Sequence, residues 1–339
     1  MIYELDQKHF KAKIYLTNSR ANHFIIPRMI TYQDEKYSIM KIGHTETNYS
    51  INSITFSENC EIKSIDLNDI NCYRLKQFNI PPSVEKIRLN DSSFLNNITI
   101  SRKNRNFKWT NDGLLLGKTD LNSNDFDVIF FARKNIEKIF IPSNIKRIED
   151  YCFYLCLNAE EIEFEKNSQL QFIGNSAFAY NRFKTISIPQ HVRKICDHAF
   201  YKCKLLQKVD FLPFSELESI GNYAFNFTSI ESFKNPKNVK SIGDYAFYKV
   251  KQLQKIEFNS ELNYIGDHSF ASTSIETLLI PQKVTTICDY AFYKCNLLRS
   301  IEFDSNSELN YIGRNAFSFS IIESIYIPKH VKKIRNRTF

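Results

Sequence analysis

The stretch Ile280-Pro281-Gln282-Lys283-Val284-Thr285-Thr286-Ile287-Cys288-Asp289-Tyr290-Ala291-Phe292-Tyr293-Lys294-Cys295-Asn296-Leu297-Leu298-Arg299-Ser300-Ile301-Glu302-Phe303 decides the fold. Read outward from Phe292, its apolar positions recur along the second half of the chain. Phe153, Phe178, Phe200, Phe225, Phe247, Phe270, Phe292, Phe317 and Phe339 stand 22 to 25 residues apart. Five positions before each comes an isoleucine: Ile148, Ile173, Ile195, Ile220, Ile242, Ile265, Ile287, Ile312 and Ile334. Three further back comes another aliphatic, Ile145 through Val331. Fixed-period self-similarity of this length marks a solenoid, in which one short unit cannot bury its own apolar face and stacking supplies the core.

Between the anchors runs a second grammar. Leu253-x-x-Ile256-x-Phe258, Ile275-x-x-Leu278-x-Ile280 and Leu298-x-x-Ile301-x-Phe303 alternate as half-buried strands do, and Leu205 is read as leading the same pattern into Val209-x-Phe211. The Val-x-x-Ile stretch gives a second short extended segment. Tyr-Ala-Phe-Tyr-Lys-Cys reads as a short helical turn or an irregular bend. The repeats are of two kinds. One ends its strand on Ile-Pro, at Pro142, Pro189, Pro281 and Pro328, with Asn235-Pro236 in the same slot. Proline donates no ladder hydrogen bond and suits a strand end at the corner of a coil. The other kind is longer, with polar loops such as Glu165-Lys166-Asn167-Ser168.

Upstream the pattern loosens. Ile62-x-x-Ile65-x-Leu67, Leu75-x-x-Phe78-x-Ile80, Val84-x-x-Ile87-x-Leu89 and Leu95-x-x-Ile98-x-Ile100 keep the strand grammar, which places divergent repeats at 51–135. Residues 1–50 read as an irregular β N-terminal cap. Residues 101–135 interrupt the array with a hairpin insert, since Asp112-Gly113 tolerates the positive φ of a type I′ turn. The expected fold is a β-rich repeat solenoid: two short extended segments per 22–25-residue coil, short helical turns, and its most regular part at 136–339.

The motif Ile-Pro-x-x-Val-x-x-Ile-x-x-x-Ala-Phe-x-x-Cys-x-x-Leu-x-x-Ile-x-Phe, complete at Ile280 to Phe303, resembles the BspA-like leucine-rich repeats of bacterial surface proteins and parasitic protists. The likeness is tight over 136–339 and loose over 51–135, and the insert from Asn104 to Leu116 is similar to an element of the protist members. It implies a leucine-rich-repeat fold and a role in surface adhesion or recognition, with a cell-surface or secreted location. No leader or membrane span is visible in the sequence to fix that location.

Composition excludes some functions. The chain has 339 residues and a net charge of +8, and residues 1–135 and 136–339 each carry +4, so no basic block marks a nucleic-acid footprint. No phosphate loop or C-x-x-C pair is present, and no cofactor or metal is implied. Six of the eight cysteines sit in repeat slots: Cys156, Cys203 and Cys295 three after the anchor, Cys196 and Cys288 in a glycine slot, and Cys152 in an alanine slot. They read as small packing residues. Cys196-Asp197-His198 has the composition of a nucleophile cluster, but the homologous Cys288-Asp289-Tyr290 lacks the histidine. The chain reads as non-enzymatic.

The recognition candidates lie between the inward strand positions, where alternation sends side chains outward. That column is Phe140, Glu163, Ser187, Asp210, Lys234, Glu257, Leu279, Glu302 and Tyr326, with an acid in every long repeat. It is read as the partner-binding set of a concave strand face, for a protein or cell-surface macromolecule, against the plainer reading of a solvated strand surface. A purely structural or antigenic array is the alternative. Tyr154, Tyr201-Lys202, Tyr248-Lys249 and Tyr293-Lys294 form a second stripe, read mainly as inter-coil packing. Sequons stand at Asn48, Asn90, Asn97, Asn226 and Asn336. A last coil ending on the anchor Phe339 is open, which predicts a longer array or an end-to-end association that covers it.

Overall fold

A computed structural model describes residues 2–9, 11–16, 21–44, 51–91 and 94–339. The chain divides into two compact units, Met1–Lys134 and Asn135–Phe339.

In the first unit, Ile2–Asp6, Lys11–Leu16, Glu35–His44 and Met29–Tyr32 form one mixed sheet in that order. A second sheet is wholly parallel, in the order Asn97–Ile100, Gln77–Ile80, Ser53–Phe56, His23–Ile26. This coil-to-coil ladder therefore reaches back to Phe24-Ile25-Ile26-Pro27, ahead of residue 51; the Ile-Pro ending that closes Gln77–Ile80 closes this strand too. One helical turn, Leu67–Ile70, is capped by the Asp66 carboxylate, which accepts the Asn68 N–H at 2.9 Å. It is the only α-helix among the described residues. The insert holds Lys108–Trp109, Leu114–Gly117 and Val128–Ala132, paired antiparallel in succession. Its first turn is not type I′. Gly113 alone has positive φ (82°), and Thr110 N–H donates to Leu114 C=O at 2.9 Å, which defines a three-residue loop with glycine in the left-handed slot.

The second unit is a β-solenoid. Nine two-residue strands, from Arg147–Ile148 to Lys333–Ile334, pair in parallel without a break, and each contributes its repeat isoleucine. Behind them the anchor phenylalanines stack face to face from Phe153 to Phe339, with centroids 5.1–5.7 Å apart. The eight from Phe153 to Phe317 are fully buried.

The anchor turns are not the short helical turns the sequence suggests. The residues two before and two after each anchor from Phe153 to Phe317 both take left-handed φ; Tyr151 and Leu155, His198 and Lys202, Tyr245 and Lys249, and Tyr290 and Lys294 all lie between 55° and 59°. Such φ costs about 1–2 kcal/mol for a residue with a side chain. The chain is held there because alternate N–H groups donate across coils instead of along a helix: Tyr151 to Asn175 at 2.9 Å, Phe153 to Ala177 at 2.8 Å, Leu155 to Ala179 at 3.1 Å, repeated through the array.

The opposite strands behave differently. They form four separate two-stranded ladders: Lys138–Ile141 with Glu161–Phe164, Thr185–Ile188 with Lys208–Phe211, Ser232–Lys234 with Lys255–Glu257, and Thr277–Ile280 with Ser300–Phe303. Each Ile-Pro strand pairs with the long repeat that follows it, never with the one before. Proline explains the interruption. Glu165, Leu212 and Asp304 donate their N–H to Ile141, Ile188 and Ile280 at 3.0–3.2 Å and close their ladders. In the next coil the equivalent position is Pro189 or Pro236, which has no N–H to give. In the second ladder the inward leucine is Leu206, fully buried, whereas Leu205 is 41% exposed; the strand spacing places the buried slot one residue later than the sequence reading.

Candidate recognition surface

Alternation along the ladders sets the outward column. The pairs Phe140 and Glu163, Ser187 and Asp210, Lys234 and Glu257, and Leu279 and Glu302 stand directly opposite each other. Glu163, Lys234 and Glu302 are exposed, and Asp210 and Glu257 are half-buried. Phe140, Leu279 and Tyr326 are 38%, 61% and 80% exposed. Tyr326 lies outside any paired strand.

The acids do not form a bare negative stripe. Lys138 reaches Glu163 at 3.0 Å and Glu161 at 3.4 Å, and the Glu163 contact is the main cause that holds its ammonium above the usual lysine pKa. Lys208 meets Asp210 at 2.7 Å. Glu257 is bridged by Lys255 at 2.8 Å and Lys234 at 3.5 Å; Lys255 first, then Lys234, keep its carboxyl below the usual range. Glu302 makes no ion pair or hydrogen bond among the described residues. The column is thus a mixed ionic ladder with apolar members, and its pairs are open to solvent. Solvent screening and side-chain entropy leave such pairs little weight in stability.

The anchor turns carry a second ordered surface. His198, Tyr223, Tyr245, His268 and Tyr290 stack face to face at 4.5–4.7 Å, one ring per coil. Burial holds both imidazoles below the usual histidine pKa. Tyr154, Tyr180, Tyr201, Phe227 and Tyr248 pack edge to face at 5.6–6.4 Å. Lys202 lies 4.9 Å from the Tyr201 centroid, Lys249 5.0 Å from Tyr248 and Lys294 5.2 Å from Tyr293. The stripe read as inter-coil packing packs in that way, and its lysines cover the rings.

Sequence reasoning passed over one column. In the position after the glycine slot, an Asp or Asn oxygen accepts the N–H of the same slot in the next coil. Asp150 takes Asn175 at 2.7 Å, Asp197 takes Asn222, Asn222 takes Asp244 and Asp244 takes Asp267 at 2.8 Å, and Asp289 takes Arg314 at 2.7 Å. The signal was the residue type, Asp or Asn in nearly every repeat, one before the stacked-ring position.

Cys196, Asp197 and His198 are each engaged elsewhere: the thiol is pushed up to about 11 by burial, the carboxylate holds Asn222, and the ring stacks on Tyr223. The Cys203 thiol, pushed up to about 12, donates to Phe178 C=O at 3.0 Å. None of the eight cysteines is joined in a disulfide. Of the sequons, Asn90 and Asn226 are buried, Asn97 and Asn336 are exposed, and Asn48 lies outside the described residues. Among the described residues, no helix is long and apolar enough to cross a membrane.

A parallel coil of about 23 residues with an inner phenylalanine stack defines a leucine-rich-repeat-like β-solenoid. The chain belongs to the BspA-type leucine-rich repeat family, whose repeat-region model matches residues 125–235 and 218–339. Among solved structures, a leucine-rich repeat protein from Bacteroides ovatus aligns over 97% of this chain and 82% of its own, at 21% identity and a TM-score of 0.52. One from Eubacterium ventriosum aligns over 85% and 82%, at 16% identity and a TM-score of 0.52. A leucine-rich cell surface protein from Faecalibacterium prausnitzii aligns over 90% and 87%, at 20% identity and a TM-score of 0.46. No curated protein matches the sequence.

Proposed function

We propose that this chain is a non-enzymatic binding module that recognises a protein or other cell-surface macromolecule with the outward column of its laddered face. The observation that carries the reading is Phe140, Leu279 and Tyr326 standing exposed in line with Glu163, Asp210, Lys234, Glu257 and Glu302. Exposed aromatic and apolar anchors within a polar surround are the composition of a recognition surface. Membership of a repeat family supports it, since solenoids present extended surfaces of this kind.

The test is a binding screen of the intact chain on immobilised protein and glycan arrays. Changing Glu163, Asp210, Glu257 and Glu302 together to Ser should abolish the signal of any ligand found while leaving thermal stability close to wild type. Retained binding removes the acids from the site. The lysine pairing at Glu163, Asp210 and Glu257 favours a second reading, a structural or antigenic array whose charges serve solvation; a blank screen with the intact chain selects it.

A further inference from the structure

The anchor turns collect positive charge that the sequence spreads out. In each repeat from Phe153 to Phe317, the segment from the anchor to the fourth residue after it holds no acid. Together these segments hold Arg182, Lys202, Lys204, Lys249, Lys251 and Lys294. Among the described residues, none of the six makes an ion pair. The laddered face is the opposite case: Lys138, Lys208, Lys234 and Lys255 each meet an acid there. Contact with Tyr201 first, then with Tyr180, holds the Lys202 ammonium above the usual lysine range, so this lysine keeps its charge.

The ridge is firmly built. Lys202, Lys249 and Lys294 donate their backbone N–H to Asn226, Ala271 and Ser318 of the next coil at 2.8–2.9 Å. The Ser229 and Ser274 hydroxyls donate to the C=O of Lys204 and Lys251, each at 2.7 Å. The three lysines take left-handed φ of 55–58°, where glycine or asparagine costs least. No repeat from Phe153 to Phe317 puts either residue in that slot; Tyr180, Phe227 and Phe319 share it with the lysines. A slot filled mostly by long side chains, at a conformational cost, points to work those side chains do outside the core.

Spacing narrows the ligand. Lys202, Lys249 and Lys294 recur at every second coil, about 10 Å apart at the usual strand spacing. They run in single file beside Tyr201, Tyr248 and Tyr293. An extended acidic peptide repeats its same-face side chains every ~6.8 Å and falls out of step. Single-stranded nucleic acid needs open ring faces on which its bases stack, and here an ammonium lies 4.9–5.2 Å from each ring centroid. Duplex DNA carries about one charge per 1.7 Å, too dense for one file of cations. A linear polysaccharide with its acid on every second sugar repeats its charge over two sugar rings, a length of the same order as two coils. Its hydroxyls suit the tyrosine hydroxyls, and its C–H groups suit the ring edges.

We infer that the anchor-turn ridge from Arg182 to Lys294 binds a linear acidic polysaccharide lengthwise along the coils, with its acid groups on Lys202, Lys249 and Lys294. This surface is separate from the outward column of the laddered face and does not rest on it.

The test is a titration of the full chain into fluorescently labelled chondroitin sulfate at low ionic strength, read by anisotropy. Saturable binding is expected, and it should weaken as salt rises. Lys202→Gln, Lys249→Gln and Lys294→Gln together remove three exposed charge contacts and should weaken binding about tenfold. Lys166→Gln, Lys237→Gln and Lys329→Gln remove the same charge from exposed loop positions and should change it less than about twofold. Arg182→Gln, Lys204→Gln and Lys251→Gln together alter only exposed side chains. They keep the test decisive should the first variant fail to fold, and should weaken binding about threefold or more. Absence of saturable binding overturns the inference, and so does an equal loss in the ridge and loop variants. Polyglutamate, oligothymidylate or phosphatidylserine vesicles bound as tightly as chondroitin sulfate would overturn it too, by showing that the ridge takes another class of anion.

Discussion

The two long faces of the second unit are made by the same coils and obey different rules. Along Ile148 to Ile334 each coil between the two ends pairs with both neighbours, and the phenylalanine stack runs unbroken behind it. Along Phe140 to Glu302 the pairing stops after every second coil, because the strand that should continue it ends in Ile-Pro or Asn-Pro. The difference comes down to one missing N–H per coil pair. On the continuous face each inward side chain packs against two neighbouring coils, so a substitution there disturbs more than one coil pair. The interrupted face has edges and clefts, and substitutions in them disturb one coil pair only. The core thereby rests on one side of the short repeat, and the recognition proposed above for the outward column falls on the other.

The sharpest way to break this comparison is to damage the continuous face. Phe247 is fully buried and stacked between Phe225 and Phe270 at 5.2 and 5.1 Å. Phe247→Ala should cost about 3–5 kcal/mol, measured by urea unfolding. Because nearest-neighbour coupling holds a solenoid together, hydrogen exchange should quicken most in the coils of Phe225 and Phe270. A loss below about 1 kcal/mol would show that the stack does not carry the core.

A smaller effect belongs to the Asp/Asn ladder. Asn222 accepts the Asp244 N–H at 2.8 Å and itself donates its N–H to Asp197. Asn222→Ala strands one N–H and should cost about 1–2 kcal/mol, whereas Asn222→Asp keeps the acceptor and should stay near wild type. Equal losses in the two variants would point to packing instead of the hydrogen bond.

These regions also differ in how far they could be read from sequence. Periodic apolar columns made the isoleucine strands and the phenylalanine stack legible, since burial forces the same residue type at every coil. The ladder interruptions were half legible. The prolines were visible as corners, but their effect depends on which neighbour the missing N–H faces, and only the coil register supplies that. The anchor turns were not legible: left-handed φ is usually signalled by Gly or Asn, and here Tyr, His and Lys adopt it under inter-coil hydrogen bonding. The outward column was legible from alternation alone. Its lysine partners were not, because Lys138, Lys208 and Lys255 come together with the acids through the ladders and through the spacing along one strand.

Acid should test the stacked rings of the anchor turns. Burial holds His198 and His268 below the usual histidine pKa, so between their folded values and about 6.5 the unfolded chain binds more protons. Stability should therefore fall as pH drops through that window. Asp267 acts in the opposite sense: burial raises its carboxyl, an effect partly offset by His268 and reinforced by Asp244 and Asp289. The folded chain then binds the extra proton just above the usual carboxylate value, and acid in that lower window recovers part of the loss. Replacing both histidines with Tyr, the residue of Tyr223, Tyr245 and Tyr290, should flatten Tm between pH 7 and pH 5.5. An unchanged slope would move the effect to other groups.

The smallest expected effect is on the interrupted face, and its smallness is the point. The Lys208–Asp210 pair at 2.7 Å joins side chains 65% and 48% exposed. Screening and side-chain entropy leave such a pair about 0–1 kcal/mol, so Lys208→Ala should shift Tm by no more than about a degree or two. Raising salt should shrink even that, as it would not shrink the losses at Phe247 or Asn222. A large, salt-resistant loss at Lys208 would mean that the ionic ladder helps to hold the coils together. The column would then be constrained by stability as tightly as the continuous face, and the separation of roles between the two faces would fail.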